Sequence, residues 1–260
     1  QFVFYEIKEG KLANVFTKIE LFALLVSCLC HDIGYSEKER AYNEKAKMPF
    51  NVLYKEQPVL EIFHCSSIID ILSEPTCNIL ANVEQDQLSQ FWNLVIDCIL
   101  ATDMSKHAKI ISETQIKLNR CNGNFTLDNE QNRNALMRIM VKTSVQAKSV
   151  RLFDPEQPWT CALSEGAFPK VSSRTEETFL SANSSDIKTA EAQIEYVKTI
   201  CKPLFTLLGN LAPSLQNITN YVFDNMKTWE KVVADSQLEQ QTQENEEKTN
   251  EENPPESTET

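Results

Sequence analysis

Residues 21–30 read LFALLVSCLC, an uncharged run that stops on His31 and Asp32. Ser27 is its one residue outside the apolar set. The run is too short to cross a bilayer, which takes about 20 apolar residues. A surface helix would show one polar face, so a helix buried at the centre of a domain is expected. Thr17 and Glu20 form the T-x-x-E capping box that starts such a helix. Gly34 stands where a positive-φ residue ends one. An imidazole and a carboxylate at the end of a buried helix are costly unless paired or bound to metal. On spacing alone, His31-Asp32 reads more simply as a polar helix-end pair than as a metal site.

The other apolar stretches show helical spacing rather than strict alternation. With only five glycines in 260 residues and 42% hydrophobic composition, the chain is expected to be all-α. The helical domain is placed at residues 1–235. Beyond Ser236 the composition is Glu, Gln, Asn, Thr and Pro, which is expected to stay an unfolded acidic tail over 236–260. That tail carries eight Glu and one Lys, or −7 of the net −12, leaving −5 for the rest. An acidic surface argues against nucleic acid and anionic membranes. Eight cysteines without a C-x-x-C pair read as buried, reduced thiols of a cytoplasmic protein. No membrane span or signal peptide is read in the chain. Because it starts at Gln1, an upstream part of the domain is expected.

Further helices are expected over Val59–Leu72, opened by Pro58, over Asp86–Thr102, over Ala135–Val150, over Ala190–Leu208 and from Pro213 to about Val233. Glu61 and His64 are three apart and share one helix face. Residues 37–47 read as a solvated helix or loop, 119–129 as a loop, and 168–186 as loop with broken helix. His64 on an apolar face reads as a core histidine, and His107 as a surface residue. Trp92, Trp159 and Trp229 read as packing residues.

Taken in order, HD at 31–32, YKEQPVLEIFH at 54–64, ILSEPTCNIL at 71–80, ILATDMSKHAKI at 99–110, PW at 158–159 and QIEYVKTICKPLF at 193–205 have a collective likeness. They resemble the catalytic domain of class I cyclic-nucleotide phosphodiesterases, most of all the high-affinity cGMP-specific subfamily. The resemblance implies a compact all-helical domain with a zinc–magnesium pair. There a metal-bridging hydroxide attacks the cyclic phosphate of cGMP or cAMP, and a histidine protonates the leaving oxygen.

By the resemblance, His31 is a zinc histidine and Asp32 the aspartate shared by both metals. The acid histidine and the other zinc histidine belong to a motif before Gln1, so no catalytic residue is assigned in the chain. Glu61 matches the glutamate that orders metal-bound water, and Thr102 and Asp103 the pair beside the second metal. His64 is what remains of a histidine pair, Phe63 replacing the first. Gln193 matches the glutamine that binds the purine, and Tyr196 the aromatic that stacks on it. Besides Phe63, and Glu195 where a glycine is usual, three positions of the metal shell depart from the pattern. Val145, or Gln146 if the register slips by one, stands for the fourth zinc ligand, an aspartate. Gly34 stands for an outer aspartate, and Tyr35 for the substrate-side histidine. A hydrocarbon cannot serve as an anionic ligand.

Three functional readings follow. The first is a phosphodiesterase-fold protein that has lost efficient hydrolysis yet binds nucleotide or pairs with an active relative, as a homo- or heterodimer. The second is an active hydrolase with a rearranged metal site, with Asp154 as a replacement carboxylate. The third is an interaction module whose acidic tail contacts a partner.

Overall fold

The computed structural model describes residues 1–34, 58–121, 125–150 and 187–252. The expectations for residues 35–57, which include Tyr35, and for the PW pair, Asp154 and residues 168–186 lie outside the described residues. Among the described residues every regular element is helical, as expected. These are α1 (Phe2–Glu9), α2 (Lys18–Cys30), α3 (Val59–Ser73), α4 (Gln85–Leu100), α5 (His107–Arg120), α6 (Glu130–Val145), α7 (Ile187–Tyr196), α8 (Lys202–Leu211) and α9 (Gln216–Glu252).

The chain divides into two compact units. The first comprises Gln1–Lys148 and Pro203–Thr219, the second Ser149–Lys202 and Asn220–Thr260.

In the first unit α2 lies against α4, α6 and α1. Its start follows the expected chemistry. Glu20 N–H donates to Thr17 Oγ1 at 3.3 Å, and Thr17 N–H donates to Glu20 Oε2 at 2.7 Å. The Glu20 carboxylate is fully buried and receives Arg133 Nε at 2.9 Å. Arg133 Nη1 also donates to the carbonyls of Leu127 and Asp128. One carboxylate thus caps α2 and joins it to the start of α6.

The expectation that α2 is buried all round is corrected. Ala23, Leu24, Val26 and Ser27 face the core, whereas Leu25 and Leu29, four apart, are 39% and 83% exposed. Among the described residues, the elements packed against α2 are α1, α4 and α6, and they leave Leu25 and Leu29 exposed. Uniform apolarity tells that a helix has somewhere to hide, not how many sides are covered. Ser27 resolves its hydroxyl by donating to Ala23 O at 2.7 Å. The core around it is Phe91, Val95, Ile99, Leu136, Ile139 and Met140, all fully buried.

The expected helix around residues 190–208 is interrupted by a π-turn at Val197–Cys201. Pro203 follows it. Proline has no N–H for the carbonyl four residues back, so the ladder widens there. Helix α9 runs on to Glu252, past the expected stop near Val233. Glu, Gln and Lys are strong helix formers, so residues 236–252 hold helical geometry by local propensity without an apolar stripe. Among the described residues no helix is long and apolar enough to cross a membrane.

Candidate active site

The His31-Asp32 pair follows the last turn of α2. The His31 ring donates Nδ1–H to Cys28 O at 3.0 Å, which turns Nε2 toward Asp32 Oδ2 at 3.1 Å. His31 is 24% exposed and Asp32 65% exposed. The Asp32 carboxylate holds the imidazole above its usual range, and burial pulls the other way. The turn continues to Gly34, whose φ of +73° is the positive value expected from the sequence.

Helix α3 meets this turn. Buried His64 donates Nδ1–H to Ile33 O at 2.8 Å, so it is a satisfied core histidine that also braces the turn. Glu61, one turn earlier, is half-buried. Burial pushes its carboxyl up, Asp103 adds to the rise, and His64 and Lys106 oppose it. Glu61 and Asp103 therefore feel each other across the site.

Thr102 and Asp103 close α4. Thr102 donates to Ile99 O at 2.7 Å. Asp103 is 8% exposed and spends both oxygens locally: Oδ1 accepts Ser105 N–H and Oδ2 accepts Ser105 Oγ–H, each at 2.8 Å. The 3-10 turn Met104–Lys106 then reverses the chain into α5. This makes His107 buried rather than a surface residue, because it heads the inward face with Ile110 and Thr114.

The last turn of α6 completes the cluster. Lys142 is 2% exposed and its Nζ donates to Ala101 O at 2.8 Å. Burial pushes this ammonium down to about 8, while Asp103 and Glu61 pull it back. Gln146 Nε2 reaches Met104 Sδ at 4.0 Å. On the other side the Cys28 thiol lies beside the Ser144 hydroxyl, and burial pushes it up to about 12. Fully buried Glu6 from α1 accepts Thr143 Oγ1–H at 2.6 Å and Ser144 Oγ–H at 3.4 Å, and burial pushes its carboxyl well above the usual range. The turn that ends on half-buried Val145 is therefore flanked by the last turn of α2 and by residues 101–104.

The structure brings together His31, Asp32, Gly34, Glu61, His64, Thr102, Asp103 and the α6 turn of Val145 in the first unit. Gln193 and Tyr196 lie in the second unit, three apart on one face of α7, with Tyr196 37% exposed. Sequence reasoning missed Lys142 and Glu6. Each is a charged residue set among apolar helix neighbours, and that was the available signal.

The donors among the described residues do not by themselves make a two-metal centre. Among the described residues no group of three or more His, Cys, Asp or Glu side chains gathers for a metal ion. Val145 contributes hydrocarbon and Gly34 no side chain.

Three comparisons bear on this geometry. The family model described as 3'5'-cyclic nucleotide phosphodiesterase matches residues 1–222. The human high affinity cGMP-specific 3',5'-cyclic phosphodiesterase 9A is 30% identical over 210 residues, covering 80% of this chain and 35% of that protein. The 3',5'-cyclic-nucleotide phosphodiesterase regA of Dictyostelium discoideum is 25% identical, over 84% of this chain and 28% of its own. The chain thus spans about a third of the length of these curated relatives. In fold, it is similar to the crystal structure of the phosphodiesterase domain of the RhoPDE fusion protein from the choanoflagellate Salpingoeca rosetta. The TM-score is 0.71 at 23% identity, over 86% of this chain and 72% of that one. A family match over most of the chain and a cluster drawn from four separate helix ends lead to one conclusion: the chain belongs to the 3'5'-cyclic nucleotide phosphodiesterase family.

Proposed function

We propose that this protein keeps the phosphodiesterase scaffold in cyclic-nucleotide signalling but hydrolyses cyclic nucleotide weakly or not at all. The observation that carries the reading is Val145. Its turn lies beside the helix end that carries His31 and Asp32, where the family resemblance asks for a carboxylate. A tetrahedral zinc site that loses one anionic ligand loses much of its affinity. Gly34 deepens the deficit by lacking a side chain.

Nucleotide binding is the activity this reading leaves to the chain. Gln193 is the candidate purine hydrogen-bonding residue, and Tyr196, partly exposed on the same helix face, the candidate stacking residue. The similarity to cGMP-specific relatives makes cGMP the first nucleotide to test and cAMP the second.

The test is made on the natural full-length protein. Zinc is counted by elemental analysis, and cGMP and cAMP turnover is measured with added zinc and magnesium. Zinc well below one ion per chain with weak turnover is expected. Near-stoichiometric zinc with ordinary turnover overturns the proposal.

A further inference from the structure

We propose that Gly34 and Phe63 form an interlocked pair, and that Phe63 is a positioning residue for the turn that carries His31 and Asp32. Two successive side chains of α3 grip two successive residues of that turn. His64 donates to Ile33 O at 2.8 Å. The Phe63 ring lies over Gly34, where a Cβ would stand 3.1 Å from Cε1 and 3.5 Å from Cζ. The separations are at and inside ordinary carbon–carbon contact, which is about 3.5–4.0 Å. Gly34 also holds φ at +73°, a conformation that strains any residue with a Cβ.

Phe63 is 48% exposed, an unusual place for a large apolar ring unless something underneath holds it. The bare backbone of Gly34 provides that platform, and the His64 ring meets Phe63 edge-on at 5.9 Å. The consequence rests on the proposed function: positions 34 and 63, both changed from the family pattern, depend on each other. A carboxylate side chain at 34 has to enter volume the Phe63 ring now holds. The outer shell therefore cannot be rebuilt by changing residue 34 alone.

A double-mutant cycle tests the packing in the full-length chain, by urea unfolding of Gly34→Ala, Phe63→Ala and the double variant. Gly34→Ala is expected to lower the folding equilibrium constant about thirtyfold beside Phe63. With Phe63→Ala the factor should fall to about fivefold, since backbone strain alone remains. Factors that agree within about twofold overturn the pairing. A second arm reads binding of zinc alone, without turnover. Val145→Asp/Gly34→Asp is compared with the same variant carrying Phe63→His, and about tenfold tighter zinc is expected for the latter. If the cycle couples and zinc is not gained, the pairing stands and the placement of the metal shell falls. If zinc is gained and the cycle is additive, the pairing falls and the proposed function stands.

Discussion

Lys142 offers the sharpest test of the site's electrostatics. It is 2% exposed, donates to Ala101 O, and has its ammonium pushed by burial from 10.5 to about 8. The perturbation is Lys142→Met, which keeps much of the volume and removes the charge. A drop of this size corresponds to about 3 kcal/mol by which the folded state disfavours the charged form. Between pH 8 and 10.5 the unfolded chain holds a proton on this lysine that the folded chain has released, so folding becomes more favourable as pH rises. The cost is fully present below pH 8 and fades above it. Roughly 2 kcal/mol of it should disappear between pH 7 and 9.5. The assay is urea unfolding of both proteins across that range, followed by far-ultraviolet circular dichroism. Other thiols and phenols titrate in both proteins and cancel in the difference. The natural chain should gain about 2 kcal/mol relative to Lys142→Met as the pH is raised. Parallel curves within about 0.5 kcal/mol would refute the claim that this ammonium is buried and only partly compensated by Asp103 and Glu61.

Two further perturbations probe the frame that holds the site. Arg133→Ala leaves the buried Glu20 carboxylate without its guanidinium, and should cost about 3–5 kcal/mol of stability in chemical denaturation. A loss below about 1 kcal/mol would mean the pair is solvated. For Glu6, burial raises the carboxyl well above its usual range, so the folded state holds a proton that the unfolded chain gives up above its normal pKa. Stability contributed by this group is lost as pH rises through the raised value. Glu6→Gln should therefore be the more stable protein at pH 8 and should flatten the pH dependence, and an unchanged slope would count against a protonated Glu6.

Much of the fold was legible locally. The Thr17–Glu20 capping box, the positive φ at Gly34 and the helical periodicity of α3 and α4 depend on residues within a few positions of one another. Local physics sets them, and the sequence displays it directly. The candidate site was legible only through motif resemblance, since its residues come from the ends of α2, α3, α4 and α6 and no local rule brings those ends together.

Partnership was hidden for the same reason. Chain order predicts that α2 is apolar, but Leu29 is 83% exposed, and which of its residues are covered is decided by the helices packed against it. His107 looks like a surface residue in a polar stretch, yet the turn at Met104–Lys106 aims it inward. Lys142 is one charge in an apolar stripe, and its nearness to Ala101, Asp103 and Glu61 exists only once α6 packs beside the end of α4.

The amino-acid order alone settled that this chain is helical, where α2, α3 and α4 begin, and that residue 145 is valine rather than aspartate. It could not settle which side chains share a dielectric. Burial, the shifts of Glu6, Cys28 and Lys142, and the contact of Phe63 with Gly34 arise from residues distant in sequence meeting in space. Propensity acts over a few residues of backbone, whereas desolvation depends on everything packed around a charge, so the second waits for the folded core.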